Sequence, residues 1–236
     1  MSVPSREPAV IAGMFDAIAG RYDTLNHLLS AGLDRRWRAR AVASLGLTGR
    51  ERLLDMCTGT ADLAIAAVTG RQRAKDVVGI DFSSEMLTIA RQKVRAAGLE
   101  SRIRLARGDA TAMPLPEASF DAATVGFGIR NVVDPLAACR EFHRVLRPAG
   151  TLAVLEFGSP TAPGLREAYA WYFQHVLPRI GRLVSKHDAA YSYLPASVNA
   201  FPSGAAFARI LQQAGFHDVQ FRRLTFGIVY LYLARR

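Results

Sequence analysis

The chain has 236 residues, 50% of them hydrophobic, which is enough to enclose a core without disulfides or bound metals. Its 30 Lys and Arg residues against 20 Asp and Glu residues give a formal net charge of +10. That charge favours anionic partners such as nucleic acid or an anionic membrane face, but an arginine-rich solvated surface explains it equally well. Because no apolar run reaches ~18 residues and the N-terminus lacks a basic-then-apolar order, we expect a cytoplasmic protein without a membrane span.

The two cysteines, Cys57 and Cys139, lie far apart and lack the short spacing of metal ligands. They predict small core residues in a reducing compartment rather than a disulfide. We therefore expect no metal site, and the sequence gives no oligomeric state.

After two N-terminal helices, the hydrophobic pattern predicts strands and helices in alternation, then a helix and two closely spaced strands. In chain order, the pattern gives helices at about 9–29 and 34–46, strand 52–56, helix 61–69, strand 76–81, helix 84–97, strands 102–107 and 119–126, helix 134–146, strand 150–156, helix 203–214, and strands 217–222 and 226–233.

This order of elements predicts an α/β fold with a doubly wound, seven-stranded, mostly parallel sheet. The short connection between the last two strands implies an antiparallel hairpin, because a parallel pair needs a longer crossover. A parallel sheet that ends in such a hairpin is typical of class I S-adenosylmethionine-dependent methyltransferases. We expect one domain over residues 1–236, with a helical cap at about 9–47 and a helical insertion at about 160–200.

Carboxylates end or follow three successive strands, at the sheet edge where doubly wound folds bind nucleoside cofactors. Asp55 ends the first strand before a turn at Gly59, which lets a ligand approach the backbone closely. Asp81 ends the second strand, just before Phe82, and can accept hydrogen bonds from both ribose hydroxyls. Asp109 follows the third strand, where the adenine edge is expected. A helix cap or an ordinary turn explains each carboxylate alone, but the three together favour a nucleoside site.

The turn after the first strand does not match a dinucleotide fingerprint. That fingerprint, G-x-G-x-x-G, needs three glycines, whereas the run from Cys57 has only Gly59, with Asp62 in the place of the third. The charge of Asp62 is expected to repel a pyrophosphate but not a cationic sulfonium or an amino group. These residues therefore favour S-adenosylmethionine over NAD.

Four blocks of sequence carry a family likeness. They are Met14–Asn26 continuing through Ser30 to Trp37, Gly126–Val132, Arg144–Gly150 with Leu155–Phe157, and Tyr191–Val198 with Pro202 and Ala214–Phe216. Over roughly residues 11–233 the chain resembles the menaquinone/ubiquinone biosynthesis C-methyltransferases. The Tyr-Asp-x-x-Asn and Phe-Gly-Ile-Arg-Asn runs are narrower signals than the strand-end carboxylates, which many methyltransferases share.

The resemblance implies methyl transfer to a ring carbon of a polyprenyl quinol, most often demethylmenaquinol. It also implies cofactor contacts for Thr60, Asp81, Asp109 and Ala110. The chain departs from the family pattern at four positions. Thr58 and Ala61 replace glycines, Gly126 replaces a contact serine before Phe127, and Asp34 replaces a histidine. We keep Gly126 among the predicted cofactor contacts.

Methylation of a ring carbon requires an electron-rich ring, which a hydroquinone supplies once a hydroxyl is deprotonated. Arg130 and Asn131 follow the fourth strand, where Arg130 can stabilise the oxyanion and Asn131 can orient the hydroxyl or a water. Arginine stays protonated, so a water or a carboxylate must take the proton. Tyr22 and Asp23 on the first helix are candidates for the site, with Asp23 as the carboxylate. The structural alternatives are a loop salt bridge for Arg130, and helix packing and capping for Tyr22 and Asp23.

Two further questions stay open in the sequence. Aromatic and cationic residues between 165 and 184 suit either an interfacial membrane element or a helix packed on the sheet. The substrate is demethylmenaquinol, the methoxylated benzoquinol of the ubiquinone pathway, or another lipophilic phenol or sterol. A remote alternative is a non-catalytic module that binds a membrane or RNA, although we expect no nucleic-acid partner.

Overall fold

The computed structural model describes residues 7–160, 162, 164–172 and 188–236. The helices are α1 (Pro8–Leu29), α2 (Leu33–Ser44), α3 (Asp62–Thr69), α4 (Ser84–Ala96), α5 (Pro135–Val145), α6 (Leu165–Trp171), α7 (Asp188–Ala200) and α8 (Ala205–Gln213). The strands are β1 (Arg52–Met56), β2 (Asp76–Asp81), β3 (Ile103–Arg107), β4 (Phe120–Gly126), β5 (Leu146–Phe157), β6 (His217–Leu224) and β7 (Val229–Arg235). Short 3₁₀ turns cover Ile129–Asn131 and Thr225–Gly227.

The strands form one seven-stranded sheet in the order β3-β2-β1-β4-β5-β7-β6. Strands β1 to β5 are parallel, whereas β7 is antiparallel to both β5 and β6. The predicted fold, including its C-terminal hairpin, is therefore confirmed. The strand order reverses direction between β1 and β4, so the crevice at their carboxyl ends is the expected ligand site.

Neighbouring residues of each strand point to opposite faces of the sheet, so both faces carry apolar side chains. Helices cover both faces. Leu53 of β1 belongs to a buried cluster with residues of α3 and α4, while Leu54 belongs to another with residues of α5 and α8. Both leucines are fully buried.

Cap residues fix where the helices beside the crevice begin. The side chain of Ser83 accepts a hydrogen bond from the amide of Met86 at the start of α4, at 3.1 Å. Asp134 does the same for the amide of Ala137, at 3.0 Å, and Pro135 occupies the first position of α5. Both arrangements are standard helix starts. The two helices begin within one residue of the predicted starts at 84 and 134.

Element boundaries differ from the prediction where the backbone takes a left-handed conformation. The second hairpin strand begins at Val229 rather than at 226, because Phe226 has a φ of 59° inside a 3₁₀ turn. Helix α3 begins at Asp62, since Ala61 before it has a φ of 68°. Strand β5 begins earlier than predicted, at Leu146, and a register shift opposite Phe120 and Ala122 accommodates the extra residues.

Among the described residues, no helix has both the length and the hydropathy needed to cross a membrane. Helix α6 covers the first part of the aromatic segment at 165–184, and the part from 173 onward lies outside the described residues.

Candidate active site

A first cavity of about 410 Å³ opens at the carboxyl ends of β1, β2 and β4, and α1 lies across it. The predicted site residues that line it are Tyr22, Gly59, Asp81, Phe82, Asp109, Ala110, Gly126 and Asn131. Its remaining lining residues are Ile11, Ala12, Phe15, Met56, Cys57, Ser83, Met86, Gly108, Thr111, Phe127, Gly128, Val132 and Val133.

The carboxylate of Asp81 connects the loop after β1 with the loop after β2, beneath this cavity. One oxygen, Oδ2, accepts a hydrogen bond from the amide of Gly59 at 2.7 Å, and Oδ1 accepts one from the amide of Ser83 at 2.9 Å. Burial raises the pKa of Asp81, and these two amides oppose that rise. Each carboxylate oxygen has a second lone pair, so Asp81 can still accept bonds from a diol.

The β1 loop, residues 57–61 between β1 and α3, approaches the backbone after β4 closely. Cys57 has a φ of 56° and Gly59 a φ of 55°, so the loop reverses within a few residues. A side-chain carbon added to Gly128 would lie 2.3 Å from the Cβ of Cys57, so only glycine fits there. Burial, together with nearby carboxylates, raises the pKa of the Cys57 thiol well above its ordinary value. The thiol therefore stays protonated and is not a nucleophile.

The first cavity is electrostatically negative. Asp81 and Asp109 line it, and Asp55 and Glu156 are close enough to act on the Cys57 thiol. None of its described lining residues is Lys, Arg or His, although the chain carries a net charge of +10. Such a cavity suits a cationic ligand and disfavours a pyrophosphate.

Asp62, on which the sequence-based preference for a cationic ligand rests, is not the source of this charge. Asp62 does not line the first cavity, because its carboxylate pairs with Lys93 and lies 3.5 Å from Arg38. Asp81 and Asp109 provide the negative charge instead.

Asp55 lies beneath the loop rather than in the cavity wall. Its carboxylate accepts hydrogen bonds from the hydroxyls of Thr58, at 2.6 Å, and Thr124, at 2.7 Å. It is 1% exposed, and burial raises its pKa to about 6 against these two bonds. Asp55 therefore holds the loop in the conformation that places Gly59 in the cavity wall.

We expect Asp55→Asn to flatten part of the pH dependence of stability. Because the folded-state pKa of Asp55 is raised from 3.8 to about 6, the folded chain binds this proton more tightly than the unfolded chain does. Its contribution is therefore fully present well below pH 4 and is lost as the pH rises through about 6. Between pH 4 and pH 8, the free energy of unfolding of the variant is expected to rise by about 2 kcal/mol relative to that of the wild type.

Urea unfolding of both proteins from pH 4 to pH 8 measures this difference. Asp218→Asn, the same substitution at an exposed position, controls for the change of side chain. A difference between Asp55→Asn and wild type that stays constant with pH contradicts the assignment.

A second cavity, of about 370 Å³, lies on the other side of α1's aromatic residues. Its wall is mainly apolar and aromatic, with contributions from α1, α2, α6, α7 and the β4 loop. Phe15, Tyr22 and Phe127 line both cavities, so the two are neighbours across this partition.

Arg130 brings a buried positive charge to the second cavity. Its Nη1 donates to Oε1 of Glu156 at 2.7 Å and also to the carbonyl oxygen of Phe127. Its backbone amide donates to the other oxygen of Glu156 at 3.2 Å. Arg130 is 4% exposed and Glu156 1% exposed. The Nε of Arg130 is buried and has no hydrogen-bond partner among the described residues.

Sequence reasoning missed Glu156 as a site residue, although it noted Leu155–Phe157 as part of a family block. The available signal for Glu156 was a carboxylate inside an apolar strand. That strand neighbours the one that Arg130 follows.

Tyr22 lines both cavities, whereas Asn131 lines the first and is bonded to Tyr193, which lines the second. Burial raises the pKa of the Tyr22 hydroxyl, and the charge of Arg130 opposes that rise. The side-chain oxygen of Asn131 accepts a hydrogen bond from the Tyr193 hydroxyl at 3.1 Å. Asn131 is therefore held by a residue of α7.

The structure does not bring Asp23 or Thr60 into either cavity wall. The hydroxyl of Thr60 donates to Oδ1 of Asp23 at 2.6 Å, and Nζ of Lys93 donates to Oδ2 at 2.6 Å. Asp23 instead lines a third, charged cavity with His27, Arg35, Arg38, Asp62, Ala66 and Lys93.

Comparison with protein families gives one assignment over nearly the whole chain. The model of the ubiE/COQ5 methyltransferase family matches residues 3–236. The chain is 50% identical over 219 residues to the ubiquinone/menaquinone biosynthesis C-methyltransferase UbiE of Syntrophotalea carbinolica, covering 93% of this chain and 91% of that one. It is 46% identical over 223 residues to the demethylmenaquinone methyltransferase of Thermus thermophilus, covering 94% and 100%.

Solved structures are similar in fold but remote in sequence. A SAM-dependent methyltransferase from Aquifex aeolicus has a TM-score of 0.59 and 19% identity, covering 84% of this chain and 88% of its own. The [4+2]-cyclase SpnF has a TM-score of 0.67 and 20% identity, covering 100% and 99%. Since a cyclase shares the fold, the fold alone does not fix the reaction.

Proposed function

We propose, because this chain belongs to the ubiE/COQ5 methyltransferase family, that it transfers a methyl group from S-adenosylmethionine to a ring carbon of demethylmenaquinol. The observation that carries the proposal is the meeting, along Phe15, Tyr22 and Phe127, of an apolar cavity and a negative cavity whose described lining residues include no Lys, Arg or His. The first suits a cationic cofactor, and the second suits an isoprenoid hydroquinone. The relative from Thermus thermophilus is named for the same reaction.

S-adenosylmethionine supplies an electrophilic methyl group when it is bound. Asp81 would hold the ribose hydroxyls, and Asp109 with Ala110 would meet the adenine. Phe82, which has the guanidinium of Arg107 5.3 Å from its ring centre, would form one wall. Gly59 and Gly126 would let the ligand approach the backbone.

Arg130 would act on the hydroquinone by its charge. Because it remains protonated, it favours the ionised form of a nearby phenolic hydroxyl, and the ionised ring is the better carbon nucleophile. Arg130 lines the second cavity, where the ring would lie. Tyr22 and Asn131 would orient the ring between the two cavities.

Asp23 takes no direct part in this assignment. Asp23 lines neither of the first two cavities, and Lys93 and Thr60 hold its carboxylate beside the third. We therefore assign the substrate proton to a water molecule, the other acceptor that the chemistry allows.

The protein would meet its lipid substrate at the cytoplasmic face of the membrane. Among the described residues, five large apolar side chains are well exposed, and three of them flank the second cavity, namely Leu28 at 56%, Trp171 at 58% and Phe226 at 77%. Each is next in sequence to a residue of the second cavity's wall, namely Leu29, Tyr172 or Thr225. Exposed apolar residues beside a cavity for a polyprenyl quinol are typical of interfacial binding.

Phe226→Ser is expected to reduce co-sedimentation with anionic lipid vesicles by roughly threefold or more, because it removes the most exposed apolar side chain. The exposed Asp218→Asn variant is the control, and cofactor affinity is expected to stay unchanged in both. Equal vesicle binding by wild type and Phe226→Ser contradicts the membrane contact.

The purified chain, incubated with S-adenosylmethionine and demethylmenaquinol in detergent, tests the reaction by mass spectrometry of the quinone. We expect a product heavier by one methyl group on the ring. Quinone profiles of cells that lack the protein should show the demethylated precursor accumulating. Absence of methylated quinone, with cofactor binding intact, rejects the substrate assignment. Absence of cofactor binding rejects the enzyme and favours a non-catalytic module.

The methoxylated benzoquinol of the ubiquinone pathway is a second candidate. The name of the Syntrophotalea carbinolica relative covers both quinone pathways. Direct competition between the two quinols for a limited amount of enzyme ranks them by kcat/KM. A preference for the benzoquinol replaces the first candidate with the second.

A further inference from the structure

Lys93 of α4 is the centre of a polar contact between three parts of the chain. Its Nζ lies 2.6 Å from Oδ2 of Asp23 on α1 and 3.2 Å from the hydroxyl of Thr60 in the β1 loop. It also donates to Oδ1 of Asp62 at the start of α3. About a quarter of each charged side chain is exposed, namely 27% for Lys93, 26% for Asp23 and 23% for Asp62. Helix α1, the β1 loop and the start of α3 are therefore all bound to the same cation.

The charges explain why this position carries a cation. Without Lys93, the carboxylates of Asp23 and Asp62 would repel each other beside Thr60, with Arg38, 3.5 Å from Asp62, offsetting part of their charge. Lysine is the better fit here because its ammonium is a compact point charge, whereas the guanidinium of arginine is planar. Lysine is also uncommon in this chain, in which arginine supplies most of the basic residues.

Helix α1 makes a second polar contact with α4. The carboxylate of Asp16 accepts hydrogen bonds from the hydroxyl of Ser83, the cap of α4, and from the amide of Glu85 at 3.4 Å. Asp16 and Asp23 are two helical turns apart, so they lie on one stripe of α1. That stripe attaches α1 to α4.

The neighbouring stripe of α1 forms the partition between the cavities. Phe15 and Tyr22 each precede one of the two aspartates, and their rings lie edge to face with centres 6.0 Å apart. Both residues line both cavities. Because a helix is rigid, the contacts of Asp16 and Asp23 with α4 also determine where the rings of Phe15 and Tyr22 lie.

We propose that Lys93 is a positioning residue for methyl transfer, which acts through Asp23 to hold Phe15 and Tyr22 between the two cavities. Its contacts with Thr60 and Asp62 tie that position to the loop that carries Gly59. The proposal rests on the proposed function for the assignment of the cavities to cofactor and quinol. Lys93 touches neither cavity wall, so its effect passes through α1.

Lys93→Met tests the role, with hydrogen exchange of the α1 amides as the direct readout. We expect these amides to exchange about tenfold faster, because removing a charged hydrogen-bond donor favours local opening of the helix. Turnover is expected to fall about tenfold per folded molecule, with a smaller change in KM for quinol. Lys93→Arg keeps the charge and is expected to recover most of the α1 protection.

Arg95→Met is the matched control, because Arg95 lies on the same helix with an 81% exposed side chain whose ion pair is with Glu100. Unchanged α1 exchange in both Lys93→Met and Asp23→Asn overturns the proposal, as does faster exchange with unaltered turnover per folded molecule. A purely stabilising role would produce that last result. Additive losses in the Asp23→Asn/Lys93→Met double variant also overturn it, since residues that act as one contact are expected to be non-additive.

The exchange readout separates this proposal from the proposed function. If the wild type methylates no quinol but α1 is loosened in Lys93→Met, the helix contact stands and the substrate assignment fails. If the wild type methylates quinol and the variant matches it in exchange and turnover, only the role of Lys93 fails.

Discussion

Asp81→Ala is expected to weaken S-adenosylmethionine binding by about a hundredfold or more. A hydrogen bond to a charged group contributes about 1.5–3 kcal/mol, and two ribose hydroxyls would lose their acceptor together. The substitution also frees the amides of Gly59 and Ser83, which Asp81 now holds at 2.7 and 2.9 Å. Isothermal titration of the purified variant against the cofactor measures the loss directly.

Two further variants serve as comparisons for Asp81→Ala. Asp81→Asn keeps the shape of the side chain but removes its charge, so we expect an intermediate loss of affinity. Glu100→Ala removes an exposed carboxylate that precedes β3, at the opposite edge of the sheet from the cavity, and is expected to bind normally. Affinity of Asp81→Ala within about threefold of wild type would exclude Asp81 as the ribose acceptor.

Arg130→Ala is expected to lower turnover by a factor of about 100 to 1,000, the range for loss of one oxyanion-stabilising donor. Cofactor affinity is expected to change little, because Arg130 lines the second cavity and not the first. The variant is also expected to lose about 3–5 kcal/mol of unfolding free energy, since Glu156 becomes an unpaired buried charge. Turnover must therefore be expressed per folded molecule.

The double variant Arg130→Met/Glu156→Gln separates the two effects. Removing both charges is expected to restore much of the stability lost in Arg130→Ala, because no buried carboxylate is left alone. Turnover is expected to remain low, since the guanidinium is still missing. Recovery of turnover along with stability would mean that Arg130 serves the fold and not the reaction.

Local pattern in the sequence located the strand ends but not the long-range partners. Asp81 and Asp109 were recognisable because one ends and the other follows a predicted strand, and both line the first cavity. Asp55 has the same local pattern, yet the hydroxyls of Thr58 and Thr124 hold it beneath the loop. The second of these partners is 69 residues away, which hydrophobic periodicity does not report.

The same limit explains the residues of α1. Periodicity predicted the helix but not which face meets α4, so Tyr22 and Asp23 were grouped together. In the structure, Tyr22 lines the cavities while Asp23 meets Lys93, 70 residues further along the chain. Adjacent residues on a helix point about 100° apart, so only the position of its neighbours decides their roles.

The scarcity of positive charge around the first cavity also bears on how the spent cofactor leaves. Once the methyl group has gone, the sulfonium becomes a neutral thioether, and the ligand carries one positive charge less. In the proposed site, Asp81 and Asp109 would attract the fresh molecule through that charge and would have no such hold on the thioether. Electrostatics therefore favours replacement of the used molecule by a new one after each cycle.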